Sequence, residues 1–340
     1  MSSQAYITLN QWSRAEMPSD SGPLCQAMPT TADRALLELL HVLKRRNYRF
    51  VTPTPATHER VVSRQSRAES RSIEDVLGWS RPFRPDLIED EVLDLLHAGN
   101  VIHPVDKGLL QSAIRVSSLH GMLFIHSAFP TDFEHAVFFG PDSYRFADLI
   151  AAELTACPLP EPGLIVDIGS GAGVGAIVAA GLCPGSPVTM IDVNPDALRF
   201  AEINARAADV SAHFVCGDNL DAVSQNVRLA VANPPYIIDD AGRAYRDGRG
   251  MHGTEVALDM ARMAVERLTM DGRLILYTGS AIIDGGDPLK GAITELAEQA
   301  GRTLRYRELD PDVFGEELAR PAYADVDRIA LVAAIIGPTR

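Results

Sequence analysis

Apolar residues recur at helical spacing in two segments of the first hundred residues. Residues 31–46 begin at Thr31, a candidate N-cap, and carry an acid in the first turn and basic residues in the last turn, as the helix dipole favours. Residues 86–98 place apolar side chains on one face, and Gly99 follows where a helix would end. The pattern predicts a helix over each segment.

Extended apolar runs replace the helical spacing over residues 114–125. The two runs flank the dipeptide His120-Gly121, which favours a tight turn and so predicts a β-hairpin. Helices followed by a hairpin indicate a smaller, mainly helical N-terminal domain over residues 1–135, similar in its order of elements to a winged helix. We expect this domain to act as a cap or as a substrate-binding domain.

From about residue 137, apolar runs of strand length alternate with helical patterns. This alternation is typical of a parallel sheet with crossover helices, so we predict an α/β fold in which one doubly wound domain occupies residues 136–340. The predicted strands, seven in number, cover residues 163–168, 187–192, 212–216, 229–232, 273–278, 304–308 and 328–336.

Composition places the chain among ordinary globular proteins. Of 340 residues, 46% are hydrophobic and 22% are charged. No apolar run approaches the roughly 20 residues that a membrane span requires, and the first residues lack the basic and apolar regions of a secretion signal. These features predict a cytoplasmic protein with no membrane partner.

Cysteine and histidine positions predict neither a disulfide framework nor a metal centre. The 4 cysteines are spread along the chain without a CxxC pair, and the 9 histidines form no HxH or HExxH motif. We expect buried thiols and no bound metal. The cysteines are Cys25, Cys157, Cys183 and Cys216.

The charge balance disfavours, without excluding, a nucleic-acid partner. The formal net charge is −14, so phosphate repulsion would have to be overcome locally. Residues 41–71 are a basic exception, with eight lysines and arginines against two glutamates. A solvated face is the favoured interpretation of this segment, and a patch for an anionic substrate is the alternative.

A glycine-rich loop follows the first predicted strand of the sheet. In "VDIGSGAGVGAIVAA", Gly169, Gly171 and Gly173 stand at alternate positions before a helix, where glycine allows a sharp turn and a close approach of backbone to ligand. By itself the loop is ambiguous, because Gly171, Gly173 and Ala176 also satisfy a relaxed dinucleotide-binding pattern.

Acids at successive strand ends favour a different cofactor. Asp167 precedes the loop, where its carboxylate could meet a cationic ligand directly or through water. Asp192 ends the second strand, where a carboxylate can accept both ribose hydroxyls, and Asp218 follows the third, where it can accept an adenine amino group. In open α/β sheets these strand ends line the ligand crevice.

The ordered motifs "DIGSGAG", "DVNPDAL", "GDNL" and "ANPPY" resemble those of the class I S-adenosylmethionine-dependent methyltransferases of the Asn-Pro-Pro-Tyr type. The resemblance covers residues 138–337. It implies a Rossmann-like, seven-stranded methyltransferase domain whose last two strands form an antiparallel hairpin. It also implies S-adenosylmethionine as cofactor, with no metal. The cofactor contacts that we predict are Tyr144, Asp167, Gly169, Gly171, Gly173, Asp192, Val193, Asp218, Asn219 and Asn233.

The Asn-Pro-Pro-Tyr tetrad carries the predicted chemistry. In enzymes with this tetrad, the asparagine side-chain oxygen and the first proline carbonyl accept hydrogen bonds from a substrate amino group, here implicating Asn233 and Pro234. Neither proline has an N–H that would compete for the nitrogen lone pair. The ring of Tyr236 offers a face on which a planar amide or base could stack. Asn233, Pro234 and Tyr236 are the predicted catalytic residues.

The tetrad resembles that of protein-glutamine amide methyltransferases and of nucleic-acid amino methyltransferases, yet the following segment departs from the glutamine family. Residues 239–255, "DDAGRAYRDGRGMHGTE", replace that family's Glu-Pro loop and are the expected specificity element. We predict that Tyr245, Arg246 and His252 contact the substrate, and Arg249 is a further candidate for a carboxylate or phosphate.

Two enzyme classes fit these motifs. The favoured function is N-methylation of an amine or amide on a small molecule, a peptide or a nucleic acid. The alternative is a cyclase in which the cofactor's own α-amine attacks its γ-carbon, releasing methylthioadenosine and forming azetidine-2-carboxylate. The acidity of the chain and the missing Glu-Pro loop suit a small enclosed site, which keeps this alternative open.

Overall fold

A computed structural model describes residues 30–64, 69–223, 226–239, 242–243 and 245–339. The predictions made for the first residues, including the absence of a secretion signal and the thiol of Cys25, lie outside this part of the chain. Arg67 of the basic segment also lies outside it.

Helices account for much of the described chain. Their bounds are α1 (Thr31–Arg45), α2 (Pro55–Val62), α3 (Ile73–Leu77), α4 (Asp90–Ala98), α5 (Pro141–Ala156), α6 (Val174–Leu182), α7 (Pro195–Ala207), α8 (Gly250–Gly253), α9 (Glu255–Arg267) and α10 (Pro288–Gln299). Short 3-10 turns occur at Pro85–Leu87, Asp106–Gly108, Gly315–Ala319 and Pro321–Tyr323.

Strands form one large sheet and two hairpins. Their bounds are β1 (Ile102–Val105), β2 (Leu109–Ser112), β3 (Ile114–Leu119), β4 (Met122–Ser127), β5 (Leu164–Ile168), β6 (Val188–Asp192), β7 (His213–Cys216), β8 (Val227–Ala232), β9 (Leu268–Ile282), β10 (Thr303–Asp310) and β11 (Arg328–Gly337).

The large sheet has 7 strands in the order β10-β11-β9-β8-β5-β6-β7. Strands β5 to β9 pair in parallel, whereas β11 pairs antiparallel with both β9 and β10. The predicted fold class, a Rossmann-like α/β sheet whose last two strands form an antiparallel hairpin, is therefore confirmed. The chain leaves β5 toward β6 and later returns to β8 on the other side, so a crevice opens between the carboxyl ends of β5 and β8.

Each strand predicted for the sheet is present, and the differences concern its ends. The largest difference is in β9, which runs from Leu268 to Ile282 rather than over 273–278. Its added residues pair with β11 up to Ile282, a long-range pairing that the local pattern does not contain.

Two helix starts differ from the prediction. The N-cap of α1 is Thr30 rather than Thr31, because the Thr30 hydroxyl oxygen accepts the Asp33 N–H at 3.1 Å while the Asp33 carboxylate accepts the Thr30 N–H at 3.0 Å. The second predicted helix, α4, begins at Asp90 and not at residue 86. A 3-10 turn at Pro85–Leu87 is followed by Ile88 in extended conformation.

The predicted hairpin is β3 and β4. His120 and Gly121 join them with φ angles of 49° and 77°, the left-handed values of a tight two-residue turn. A second hairpin, β1 with β2, was not predicted. One apolar core runs from Leu40 of α1 through Phe124 of β4 to the large sheet. The assignment of residues 1–135 as a separate, winged-helix-like domain stays a prediction.

Acids from outside the basic 41–71 segment neutralise part of it. A guanidinium nitrogen of Arg46 lies 2.7 Å from a carboxylate oxygen of Glu89 and 2.7 Å from one of Glu91. This arrangement favours the ion-paired, solvated face over a patch for anions. Within the described residues no helix is long and apolar enough to cross a bilayer, and the cytoplasmic location stays a prediction.

Candidate functional site

A cavity of about 760 Å³ lies at the carboxyl ends of β5, β6 and β8. The glycine loop forms one wall, residues 136–138 and Phe146 another, and Met260 and Met263 of α9 a third. The volume is in the range of roughly 300–1,000 Å³ typical of small-molecule sites. Eight of the ten predicted cofactor residues line it, namely Asp167, Gly169, Gly171, Asp192, Val193, Asp218, Asn219 and Asn233.

The loop between β5 and α6 takes a conformation that favours glycine. Gly169, Gly171 and Gly173 have φ angles of 70°, 52° and 82°, values that side-chain-bearing residues rarely adopt. A methyl group on Gly175 would lie 2.9 Å from an Asp167 carboxylate oxygen and 2.7 Å from the Phe146 ring. The glycines thus let the loop turn and let α6 approach the acid at the end of β5.

Asp167 is the most deeply buried acid of the cavity, with 1% of its surface exposed. Its Oδ2 accepts the Ala176 N–H at 2.8 Å, at the start of α6. Burial raises the pKa of the Asp167 carboxyl to about 7, against the hydrogen bond that lowers it, and the nearby Asp192 adds to the rise. A cation in the cavity would stabilise the ionised form.

Asp192 is held by two backbone groups. Its Oδ2 accepts the Gly171 N–H at 2.8 Å and its Oδ1 accepts the Asn194 N–H at 2.9 Å. Burial also raises the pKa of this carboxyl. Among the described residues, neither Asp167 nor Asp192 forms an ion pair with a basic side chain. The cavity therefore holds two fixed acids, the buried Asp167 and the half-buried Asp192, that a positively charged, hydroxyl-bearing ligand would complement.

The end of the cavity beyond β7 is more open. Asp218 and Asn219 line it, and the Asn219 amide donates to the Asp218 carboxylate at 3.2 Å. Val193, which follows β6, is 50% exposed and forms part of the same wall. An acceptor beside an apolar wall suits a heteroaromatic amine.

The Asn-Pro-Pro-Tyr corner begins one residue after β8. Asn233 and Pro235 line the cavity, whereas Pro234 is buried behind them. Within the described part of the chain, the Asn233 side-chain amide forms no hydrogen bond to protein. Its oxygen is thus available to a ligand beside the glycine loop.

Tyr236 does not line the cavity, contrary to the predicted stacking role. Its ring packs edge-to-face on Phe314 at 5.7 Å, and a methyl group on Gly279 would lie 2.2 Å from it. The Tyr236 hydroxyl donates to Asp142 Oδ2 at 2.8 Å, and Tyr277 donates to Oδ1 of the same acid at 2.9 Å. The tyrosine therefore anchors the corner from behind instead of offering a ring face to substrate.

Three other predicted contacts also lie outside the cavity lining. The Tyr144 hydroxyl accepts the Thr52 N–H at 3.0 Å, so this side chain faces the N-terminal elements. Arg246 pairs with Glu317 at 2.5 Å, and His252 pairs with Asp325 at 3.0 Å. The acids that hold Arg246 and His252 come much later in the chain, so the local sequence pattern does not reveal these two pairs. Gly173 does not line the cavity either, and its place is at the N-cap of α6.

Of the four candidates that the sequence offered in the 239–255 loop, Tyr245 and Arg249 line the cavity, whereas Arg246 and His252 do not. Tyr245 lines it as expected, and its hydroxyl donates to the Thr131 carbonyl. Asp247 and Arg249 line it as well. On α9, Met260 and Met263 were missed, although their spacing of three residues places them on one helix face.

No group of three or more His, Cys, Asp or Glu side chains within the described ranges is arranged to hold a metal ion. The thiols of Cys157 and Cys216 are exposed, and the thiol of Cys183 is buried. The expectation of buried thiols is thus wrong for Cys157 and Cys216.

Residues 147–282 match the family model of the methyltransferase small domain. This segment is therefore similar to methyltransferase small domains. The match encloses the glycine loop, both acids and the Asn-Pro-Pro-Tyr corner. It confirms the predicted resemblance to S-adenosylmethionine-dependent methyltransferases, and with it the predicted enzyme class and cofactor of the domain.

Three curated relatives are release factor glutamine methyltransferases. The chain is 33% identical over 185 residues to the release factor glutamine methyltransferase of Deinococcus radiodurans, covering 52% of this chain and 63% of the relative. It is 28% identical over 149 residues to that of Koribacter versatilis, covering 40% and 53%. It is 26% identical over 188 residues to that of Lactococcus lactis, covering 52% of this chain and 65% of the relative. The chain thus spans less than two thirds of the length of these relatives.

Solved structures with a similar arrangement include the S-adenosylmethionine-dependent methyltransferase of Agrobacterium tumefaciens, with a TM-score of 0.44 at 17% identity, covering 70% of this chain and 77% of that one. The ribosomal protein L11 methylase of Lactobacillus delbrueckii subsp. bulgaricus has a TM-score of 0.39 at 17% identity, covering 58% and 80%.

Proposed function

We propose that this protein is an S-adenosylmethionine-dependent N-methyltransferase whose acceptor is an amine or amide nitrogen held by the Asn-Pro-Pro-Tyr corner. One observation carries the proposal. The Asn233 amide faces the cavity next to the glycine loop without a hydrogen-bond partner among the described residues. A polar side chain held in such a place without a protein partner suits a ligand.

The chain's residues fit S-adenosylmethionine. The buried Asp167 and the half-buried Asp192 have no basic partner in the described part of the chain, and a methyl group on Gly171 would meet nothing within 4 Å. A ligand with positive charge and hydroxyl groups satisfies both features. We assign the ribose hydroxyls to Asp192, the adenine amino group to Asp218 and the cationic end to Asp167 and Gly169.

When bound, S-adenosylmethionine would supply an electrophilic methyl carbon. Attack by the acceptor nitrogen would form the nitrogen–carbon bond, the electron pair of the broken carbon–sulfur bond would stay on sulfur, and the proton lost from nitrogen would pass to water. The protein's part is alignment. We assign the acceptor's N–H groups to the Asn233 side-chain oxygen in the cavity wall and to the carbonyl of Pro234, the buried residue that follows it, so that the nitrogen lone pair is directed into the cavity. Because neither Pro234 nor Pro235 has an N–H, no backbone donor of these residues competes for that lone pair. Such alignment can supply about 7 kcal/mol or more of the reduction in barrier.

The acceptor that we favour is a peptide or a small molecule. The relatives named above are release factor glutamine methyltransferases, which supports an acceptor with an amide or amino group. The net charge of −14 disfavours nucleic acid. The 239–255 loop departs from the glutamine family, so the acceptor need not be a release factor.

Product analysis tests the proposal. The purified protein is incubated with S-adenosylmethionine alone, with glutamine-containing peptides, with small amines and with cell extract, and products are identified by mass spectrometry. We expect S-adenosylhomocysteine only when an acceptor is present. Methylthioadenosine and azetidine-2-carboxylate formed from S-adenosylmethionine alone would instead establish the cyclase and refute methyl transfer.

A variant links the activity to the corner. Asn233→Ala is expected to lower turnover at least about a hundredfold, as removal of a group that orients the reacting atoms does. Binding of S-adenosylmethionine, measured by calorimetry, should change less than about threefold, because the two acids are untouched. Full activity of Asn233→Ala would exclude the assignment of the corner.

A further inference from the structure

Three residues of the 239–255 loop, Asp247 to Arg249, lie directly beside the Asn-Pro-Pro-Tyr corner. Asp247 forms an isolated parallel bridge with Ile237, one residue past the tetrad. The Gly248 N–H donates to the Ile237 carbonyl at 2.8 Å, and the Gly248 carbonyl accepts the Val256 N–H at 3.3 Å. Backbone hydrogen bonds therefore fix this short segment between the corner and α9.

Close packing leaves the segment little freedom. A methyl group on Gly248 would lie 1.8 Å from the Gly253 carbonyl oxygen, and one on Gly253 would lie 2.6 Å from the Tyr236 carbonyl oxygen. The loop can thus approach the corner only with glycine at both positions. A displacement of the corner would move this segment with it.

The carboxylate of Asp247 has a fixed direction. Its Oδ1 accepts two backbone N–H groups, from Asp239 at 3.2 Å and from Arg249 at 3.1 Å. Asp247 lines the cavity and forms no ion pair within the described residues. One carboxylate oxygen is thus bound to backbone, and a negative charge is held in the cavity wall.

Arg249 lines the same cavity from a strained backbone. Its φ and ψ angles are 61° and −140°, a region that is costly for any residue except glycine. The other arginines described in this loop are paired, Arg243 with Asp239 at 2.6 Å and Arg246 with Glu317 at 2.5 Å. Arg249 has no ion pair in the described part of the chain: its guanidinium nitrogens lie more than 4.0 Å from the Asp247 carboxylate oxygens, although its backbone N–H donates to Asp247 Oδ1.

We propose that Asp247 and Arg249 form a subsite for an α-amino acid group, in which Asp247 binds the ammonium and Arg249 binds the carboxylate. The two opposite charges face one cavity without neutralising each other, which is the pattern that a zwitterion complements. The guanidinium fork matches a carboxylate, and the Asp247 carboxylate accepts N–H groups. This inference rests on the proposed function and identifies the ligand group of the same site.

The amino acid group has two possible sources. It belongs either to a separate amino acid that accepts the methyl group, or to the methionine end of the cofactor itself. In the second case Asp247 and Arg249, and not Asp167 and Gly169, hold that end of the cofactor. The chemistry of recognition is the same, and binding measurements separate the two sources without any need for turnover. Failure of the proposed methyl transfer would therefore leave this test intact.

The first measurement uses calorimetry with S-adenosylmethionine, S-adenosylhomocysteine and methylthioadenosine, which lacks the amino acid group. Asp247→Asn and Arg249→Gln are compared with Arg262→Gln, which removes a positive charge from the same cavity wall where Arg262 is paired with Asp259 at 3.1 Å. If the group is the cofactor's own, Asp247→Asn and Arg249→Gln each weaken the binding of S-adenosylhomocysteine about tenfold or more, as loss of a charged hydrogen bond does. Methylthioadenosine binding then stays unchanged in all three.

The second measurement titrates the common L-amino acids into protein saturated with S-adenosylhomocysteine. If the group belongs to a separate acceptor, at least one amino acid binds the wild type, and Asp247→Asn and Arg249→Gln each weaken it about tenfold or more while Arg262→Gln does not. The corresponding amine without a carboxylate should lose the dependence on Arg249. The proposal is overturned if neither Asp247→Asn nor Arg249→Gln weakens the binding of S-adenosylhomocysteine and no amino acid binds. It is also overturned if Arg262→Gln weakens binding as much as the other two variants do.

Discussion

The Tyr236 hydroxyl donates a hydrogen bond to the Asp142 carboxylate at 2.8 Å, across 94 residues of sequence. Asp142 lies in the first turn of α5, where the helix dipole favours a negative charge, and it also accepts a hydrogen bond from Tyr277 of β9. Burial and the Asp142 charge raise the pKa of Tyr236 well above its usual range, so the phenol stays a donor. Asp142 thus ties the corner to α5 and to β9.

This relationship predicts that Asp142 positions the corner. Tyr236→Phe and Asp142→Asn should each lower kcat about tenfold or more, because small displacements of reacting groups are costly. The affinity for S-adenosylmethionine should stay within about threefold. Kinetics combined with calorimetry separate the two quantities.

Tyr277→Phe serves as the matched control, since it removes a hydrogen bond to the same acid without touching the corner. The Asp142→Asn and Tyr236→Phe pair should be non-additive, with the double variant close to the worse single one. Equal losses in Tyr277→Phe and Tyr236→Phe would show that the effect is a general loss of stability and not positioning.

Asp192→Ala should weaken S-adenosylmethionine binding by about ten- to a hundredfold. The change removes the acceptor of the Gly171 N–H as well as the proposed partner of the ribose hydroxyls. Calorimetry measures the dissociation constant. Asp196→Ala, on the exposed first turn of α7, is the control and should bind normally. Unchanged binding by Asp192→Ala would refute the ribose assignment.

The buried Asp167 predicts a pH dependence with a definite sign. Its pKa is about 7 in the folded protein and 3.8 is the ordinary value, so between these limits the folded state holds more protons than the unfolded state. The free energy of unfolding should therefore fall as pH rises from 4 to 7. A cationic ligand favours the ionised form, so affinity for S-adenosylmethionine should rise up to about tenfold per pH unit below 7.

Asp167→Asn separates this carboxyl from other titrating groups. Asparagine keeps an oxygen for the Ala176 N–H but carries no charge. The variant should bind S-adenosylmethionine more weakly at pH 8 and lose the excess slope of affinity and of stability between pH 5 and 7. Identical slopes in wild type and variant would mean that Asp167 does not titrate in this range.

Gly175 is predicted to be a packing requirement. Gly175→Ala would bring a methyl group to 2.7 Å from the Phe146 ring and 2.9 Å from Asp167 Oδ2, so we expect a loss of about 1–3 kcal/mol in the free energy of unfolding. Gly181→Ala is the control on the same helix, because its methyl group meets nothing within 4 Å. Helix propensity predicts that this control gains about 0.5–1 kcal/mol. Chemical denaturation measures both values.

The sequence by itself determined the strands of the large sheet, the glycine loop and the acids at the strand ends. These features depend on local causes, namely apolar periodicity, the left-handed φ angles that glycine permits and the position of an acid where a strand ends. Asp167, Asp192 and Asp218 line the cavity as expected, because the carboxyl ends of neighbouring parallel strands meet at one edge of the sheet.

Tertiary structure alone decided which polar side chains of the corner and its loop face the cavity. Tyr236, Arg246 and His252 turn away from it, since Asp142, Glu317 and Asp325 hold them from distant parts of the chain. Asp247 and Arg249 remain in the cavity wall because the backbone hydrogen bonds between residues 237 and 248 place them there. Such a choice depends on long-range ion pairs and close packing, which no local pattern of residues encodes.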